Sequence, residues 1–258
     1  MNDSEDWLLK TPPGEYPVPG VPGEAAGLAM EPAPPSRRQQ LFELAAFIFL
    51  ILPSLLLSFF AVGGDSDVNF FLSGAVIILR DLALMCLIFF FLWRNGERLQ
   101  QIGLRVRHQW REVLAGALLF IPTLLGAGLL QLGLEAIGLK VAPIPLPQAL
   151  AAHGPGEYLL AMALVVVVAL SEETIFRGYL ILRLRAVTRS TVIAVVLSTL
   201  LFALGHGYQG SVGVITVGYL GLVFALVYLW RKSLVAPIVM HFLQDFMGII
   251  LLPLLGLR

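Results

Sequence analysis

Apolar residues fall into seven stretches along this chain, at 41–61, 70–93, 113–134, 157–184, 191–204, 212–230 and 234–252, with short polar segments between them. A helix that spans a bilayer needs about 20 mainly apolar residues. The pattern therefore predicts an all-α polytopic transmembrane helix bundle of about seven spanning helices. The fourth stretch is long enough to hold a charged motif inside it rather than beyond its end. The fifth is short, and short or broken helices are tolerated at depth where they line a cavity.

The first 40 residues break the pattern. They are rich in Pro, Gly and Glu, as in Thr11-Pro12-Pro13-Gly14-Glu15 and Glu31-Pro32-Ala33-Pro34-Pro35. Such a stretch buries too little apolar surface to offset the entropy of ordering it. Residues 1–40 are expected to be a disordered tail and 41–258 one integral membrane domain. The tail lacks a basic start followed by an apolar core, so no cleavable signal is expected and the first helix directs insertion.

Composition agrees. The chain of 258 residues is 58% hydrophobic and 13% charged, against roughly half and a quarter in a soluble globule. A formal net charge of zero argues against a nucleic-acid partner, because phosphate binding needs a basic excess. The single cysteine, Cys86, permits neither an internal disulfide nor a cysteine metal cage.

Charge sets an expected orientation through the positive-inside rule. Arg37 and Arg38 precede the first stretch and Asp65 and Asp67 follow it. Arg94, Arg98, Arg105, Arg107 and Arg111 follow the second, Arg183, Arg185 and Arg189 the fourth, and Arg231 and Lys232 the sixth. These alternate consistently if the N-terminus is cytoplasmic. The loop over 135–156, with Pro143, Pro145 and Pro147, then lies outside, as does the C-terminus.

Within this oily body three clusters carry acid and base chemistry: Glu172-Glu173-Thr174-Ile175-Phe176-Arg177, Phe202-Ala203-Leu204-Gly205-His206, and His241-Phe242-Leu243-Gln244-Asp245. Ionisable groups at bilayer depth are costly, and by default they mark function. Glu173 and Arg177 stand at i, i+4 and can pair along one helix face. Glu172 points about 100° away and is left for chemistry. Phe202 can pack beside His206. Asp245 can accept from one ring nitrogen of His241 and fix the tautomer that the other presents. Two schemes are open for activating water. In one, Glu172, His206 and His241 hold a divalent metal such as zinc. In the other, Glu172 takes the proton from water directly and a donor histidine stabilises the oxyanion.

The motifs Glu172-Glu173-x-x-x-Arg177-Gly178, Phe202-x-x-x-His206 and His241-x-x-x-Asp245, in that order on successive apolar segments, resemble the CAAX protease and bacteriocin-processing (CPBP) family of intramembrane endopeptidases. The resemblance covers about residues 110 to 250, and the Ile102-Gly103-Leu104-Arg105 stretch resembles bacterial members. It implies a bundle of packed membrane helices that hydrolyses peptide bonds at the membrane. Glu172 is implied as the water-activating residue, and His206 and His241 as catalytic or metal-binding. Where eukaryotic prenyl-protein proteases usually carry Asn as an oxyanion donor, this chain has Asp245, which when ionised cannot donate. The implied partners are the bilayer and a peptide or protein substrate, lipidated or not, and the implied location is a bacterial cytoplasmic membrane. Two rival readings are a proton-coupled transporter, which predicts inverted repeats, and a catalytically silent adaptor of the same fold.

Three points are left for structure. Arg80 and Asp81 sit midway along the second stretch, and adjacent residues do not face one another on a helix, so each is expected to pair with another segment. His108 and His153 fall in expected loops without a role. His206 near the outer end of the fifth helix and His241 near the inner start of the seventh differ in depth by more than a side chain spans.

Overall fold

The computed structural model describes residues 35–60, 70–105, 109–139, 152 and 154–256. The expected tail therefore lies almost wholly outside the described residues, as do Asp65, Asp67, Arg107, His108, His153, Pro143, Pro145 and Pro147. Each apolar stretch folds as a helix: α1 (Arg37–Leu57), α2 (Phe70–Arg94), α3 (Gln109–Ala136), α4 (Pro155–Thr188), α5 (Thr191–Leu204), α6 (Gly210–Arg231) and α7 (Val235–Leu254). Six of them are long and apolar enough to cross a membrane, while α5 is shorter. The expectation of about seven spanning helices thus resolves into six spans and one partial helix. The first helix starts inside the segment assigned to the tail, because Ser36 caps it by accepting from the Gln39 N–H at 3.3 Å.

The outer faces of the bundle are apolar. On α3, Leu114, Leu118, Ile121, Leu125, Leu129 and Leu132 recur every three to four residues and are all exposed. A continuous apolar stripe pointing outward suits a lipid surroundings rather than water.

Basic residues gather at one end of the bundle and are tied there by ion pairs. Glu43 on α1 pairs with Arg94 on α2, accepts from Asn95 at 2.9 Å and stands 3.2 Å from Arg183 on α4. Arg183 is fully buried and donates to Glu97 through both Nη atoms. At the same end Arg37 donates to the Val187 carbonyl at 2.7 Å, and Arg231 pairs with Glu112 at 2.6 Å. Residues that read in the sequence as loop charges therefore include a buried network that fastens α1, α2 and α4 together.

The segment after α2 enters this end as a wedge. Ile102 is fully buried, and Gly103 takes a positive φ of 85°, which a side chain would strain. The Gly103 carbonyl accepts from the Leu234 N–H at 3.1 Å. A Cβ on Gly178 of α4 would meet Ile102 Cβ at 3.1 Å and Leu234 Cδ1 at 3.3 Å, so the absent side chain permits this packing. As a result α7 starts against the inserted loop and the middle of α4. His241, seven residues on, lies about 10 Å further along the helix.

α5 supplies the other half of the answer to the depth problem. Capped at its start by Ser190, it rises about 21 Å at 1.5 Å per residue, short of the ~30 Å hydrocarbon layer. His206 follows its end, and the Ser58 hydroxyl of the segment after α1 fastens that end by donating to the Leu204 carbonyl and accepting from the Gly207 N–H.

Candidate active site

α4 is continuous but changes pitch at the motif. Regular α-helical turns run to Glu172, and residues Glu173–Leu180 form wider π-helical turns. A second widening, Phe246–Leu251, follows Asp245 in α7. Wide turns within α-helices are rare and often lie at functional sites. Ser198 of α5 donates to the Phe176 carbonyl at 2.6 Å, tying the wide turn to its neighbour.

Glu173 is the structural hub. Its Oε1 accepts from Arg177 Nη1 at 2.8 Å, the expected i, i+4 pair, and from His241 Nδ1 at 2.8 Å. Arg177 is 1% exposed and Glu173 fully buried, so neither charge is tolerable without the other. Arg177 also donates to the Gly221 carbonyl at 3.3 Å. A Cβ on Gly221 would stand 2.9 Å from the Phe202 ring and 3.3 Å from Arg177 Nη2, so α6 needs glycine there. Gly221 escaped the sequence reading, and a glycine in an apolar helix is its only trace.

Phe202 lies at the centre of the cluster. The Arg177 guanidinium sits 4.1 Å from its ring centroid, and the rings of His206 and His241 lie 5.0 and 5.9 Å away. Phe202 therefore packs beside His206, as its spacing suggested, and beside His241 as well.

The two histidines present different faces. His241 uses Nδ1 on Glu173, so a second carboxylate joins the expected Asp245 in orienting the ring. The reason is reach: α4 passes beside α7 and brings Glu173 directly onto the ring. Asp245 instead faces the other nitrogen, its Oδ2 at 3.4 Å from His241 Nε2. Glu172 Oε2 lies 3.8 Å from the same nitrogen and has no hydrogen-bond partner. His206 places Nδ1 3.0 Å from the Phe202 carbonyl. A carbonyl only accepts, so Nδ1 carries the hydrogen, and Nε2 of the neutral ring is an acceptor. In that form His206 does not donate through Nε2, so of the two histidines it is not the donor that the metal-free scheme calls for.

α2 contributes more than expected. Arg80 and Asp81 pair with each other, Arg80 Nε donating to Asp81 Oδ1 at 2.9 Å. The long arginine side chain folds back along its own helix and overcomes the angle between adjacent positions. Both lie within electrostatic range of Glu172, and Asp81 within that of His241. Tyr208, in the turn after His206, sets its ring 5.9 Å from the His206 ring and accepts from Gln209 Nε2 at 3.3 Å. Nothing in the sequence pattern points to Tyr208, and the pattern around the α2 pair points to a structural role.

Among the described residues no group of three or more His, Cys, Asp and Glu stands in a metal-holding arrangement. A groove of about 620 Å³ lies between α1 and α2 at the basic end, lined by Arg38, Phe42, Phe91 and Arg94 among others, and includes none of the groups around His241.

One protein family, described as Rce1-like, type II CAAX prenyl endopeptidase Rce1-like, matches residues 154–247. The match contains all three motifs, from Glu172 to Asp245, and bears out the resemblance to the CAAX protease and bacteriocin-processing family. No curated protein and no solved structure matches the chain.

Proposed function

We propose that this chain, whose residues 154–247 match the Rce1-like type II CAAX prenyl endopeptidases, hydrolyses peptide bonds of membrane-associated peptides or proteins with a water molecule activated by Glu172. The observation that carries the reading is the nitrogen pair of His241. One nitrogen is locked by Glu173 and Arg177, while the other faces Glu172 and Asp245.

The chemistry follows from the donors and acceptors. Glu172 has an unpartnered oxygen, and His206 offers an acceptor nitrogen. A water between them gives both hydrogens to acceptors and turns its lone pair toward a substrate carbonyl. As the oxygen bonds to the carbonyl carbon, its proton passes to Glu172. When the carbon–nitrogen bond breaks, Glu172 returns that proton to the leaving nitrogen. Arg177, Glu173 and Phe202 position the histidines and take no part in the transfers. Asp245 shares the outer nitrogen of His241 and holds the ring between two carboxylates.

The gathering of basic residues at one end of the bundle favours that end as the cytoplasmic face under the positive-inside rule. This supports a reading with the N-terminus inside and the C-terminus outside a bacterial cytoplasmic membrane. Lipid modification of the substrate suits a site bounded by lipid-facing helices.

Comparative peptidomics of membranes from cells making the wild type or Glu172→Gln tests the reading. The expected result is a set of cleavage products that vanish in the variant while the protein is made in equal amount. Identical product sets would refute it.

A further inference from the structure

His206 stands between two glycines, Gly205 and Gly207, just past the end of the short helix α5. The last carbonyls of a helix have no partner within it and need one from elsewhere. This end carries a side chain on which the proposed chemistry depends, so whatever holds it bears on the reaction.

Leu55 of α1 and Ser58 and Phe59 of the turn that follows hold it. The Ser58 hydroxyl crosses 146 positions of sequence to stand 2.8 Å from the Leu204 carbonyl, and it accepts from the Gly207 N–H at 3.1 Å. One oxygen thus bridges the residue two before His206 and the residue one after it. The hydroxyl also lies 2.6 Å from the Leu55 carbonyl, so its single hydrogen is shared between two carbonyls and a lone pair is left for Gly207. On either side of this bridge the α1 end comes too close for a side chain. A Cβ on Gly205 would stand 3.0 Å from Leu55 Cδ2, and one on Gly207 would stand 2.5–2.7 Å from the Phe59 ring. The two glycines are therefore where the α1 end touches the turn, and His206 is the residue between the contacts. The imidazole is anchored separately, with Nδ1 3.0 Å from the Phe202 carbonyl. With the ring tied to α5 and the backbone tied to α1, Nε2 is held in one place.

Ser54, one turn earlier on α1, supplies the contrast. Its hydroxyl donates to the Ile51 carbonyl at 2.8 Å, the same bond within the helix that Ser58 makes to Leu55, and makes no bridge to α5.

We infer that Ser58 is a positioning residue for the proposed hydrolysis: its two bonds to the turn hold His206 where Nε2 accepts from the attacking water. The inference rests on the hydrolase reading and adds to it a part of the chain outside the matched residues 154–247. No bond to Ser58 forms or breaks; the proton still travels from water to Glu172 and on to the leaving nitrogen. A displacement of about 1 Å at a positioned group costs about 10²-fold in rate.

The test uses the full chain in lipid bicelles, with a quenched-fluorescent peptide spanning a cleavage site found by the peptidomic comparison. The same samples, labelled with ¹³C at histidine Cε1, give an NMR signal for each imidazole. Ser58→Ala should lower kcat by about 10-fold or more with KM changed little, and should move the His206 signal while that of His241 stays. Ser58→Thr, which keeps the hydroxyl, should recover most of both. Ser54→Ala should change neither. A Ser58→Ala enzyme within twofold of wild-type kcat, an unmoved His206 signal, both histidine signals moving alike, or an equal loss in Ser54→Ala would each overturn the assignment. Hydrolysis unaltered by Glu172→Gln would refute the hydrolase reading and with it the catalytic purpose of the bridge. The NMR arm tells that failure apart, because the His206 signal answers to Ser58 whatever the rate.

Discussion

Glu173 and His241 are separated by 68 positions in sequence and joined by a 2.8 Å hydrogen bond, on the same glutamate oxygen that receives Arg177. That oxygen converts three residues on two helices into one rigid unit. Removing its charge strands a buried guanidinium. Glu173→Gln should therefore destabilise the protein by about 3–5 kcal/mol, the usual cost of breaking a buried pair. Reversible unfolding in mixed micelles measures the loss, and activity should fall with it as His241 loses its anchor.

His206 offers a contrast. Its ring makes one backbone hydrogen bond, so His206→Ala should cost only about 1 kcal/mol of stability. Catalysis should nevertheless fall by about 10²–10⁴-fold if Nε2 accepts from the attacking water. Thermal unfolding and peptide hydrolysis on the same sample separate the two effects. Equal activity would remove His206 from the mechanism.

The inserted loop gives a prediction remote from the chemistry. Gly178→Ala places a methyl carbon 3.1 Å from Ile102 Cβ and 3.2 Å from the Ile102 carbonyl oxygen. Overpacking of this kind costs about 1–3 kcal/mol. Because the same loop sets the start of α7, the variant should also lose activity through a displaced His241. Thermal unfolding and peptide hydrolysis on the same sample measure the two effects, and an unchanged unfolding midpoint would contradict the contact as their cause.

Metal dependence can be checked independently. The described His, Asp and Glu side chains form no three-donor group, and the proposed steps need none. Activity should survive dialysis against a strong chelator, with elemental analysis showing less than one bound divalent ion per chain. Loss on chelation and recovery with zinc would restore a metal to the mechanism.

The sequence made much of this site legible because its signal is local. Glu173 and Arg177, Phe202 and His206, and His241 and Asp245 each recur at one helical turn, and charge at bilayer depth stands out against apolar neighbours. What escaped depends on contacts between distant segments. Glu43 pairs with Arg94 and Asn95, and Arg183 reaches Glu97 across 86 positions, so five apparent loop or helix-end residues form one network. The mismatch in depth between His206 and His241 came from placing α7 at the level of Arg231. The bond between Leu234 and Gly103 sets its start against an inserted loop instead. Asp245 is legible as a partner of His241 because it lies one turn away; Glu173, which holds the other nitrogen, does so because α4 crosses α7, which no spacing rule reveals.

The account turns on Glu172, and its most direct test is the hydrolysis rate of purified Glu172→Gln in lipid bicelles beside the wild type, on a peptide that the wild type cleaves. The substitution keeps the side-chain shape and removes the proton acceptor. A fall of at least about 10²-fold with an unchanged unfolding midpoint is predicted. Hydrolysis at the wild-type rate would contradict the central claim, whatever the fold.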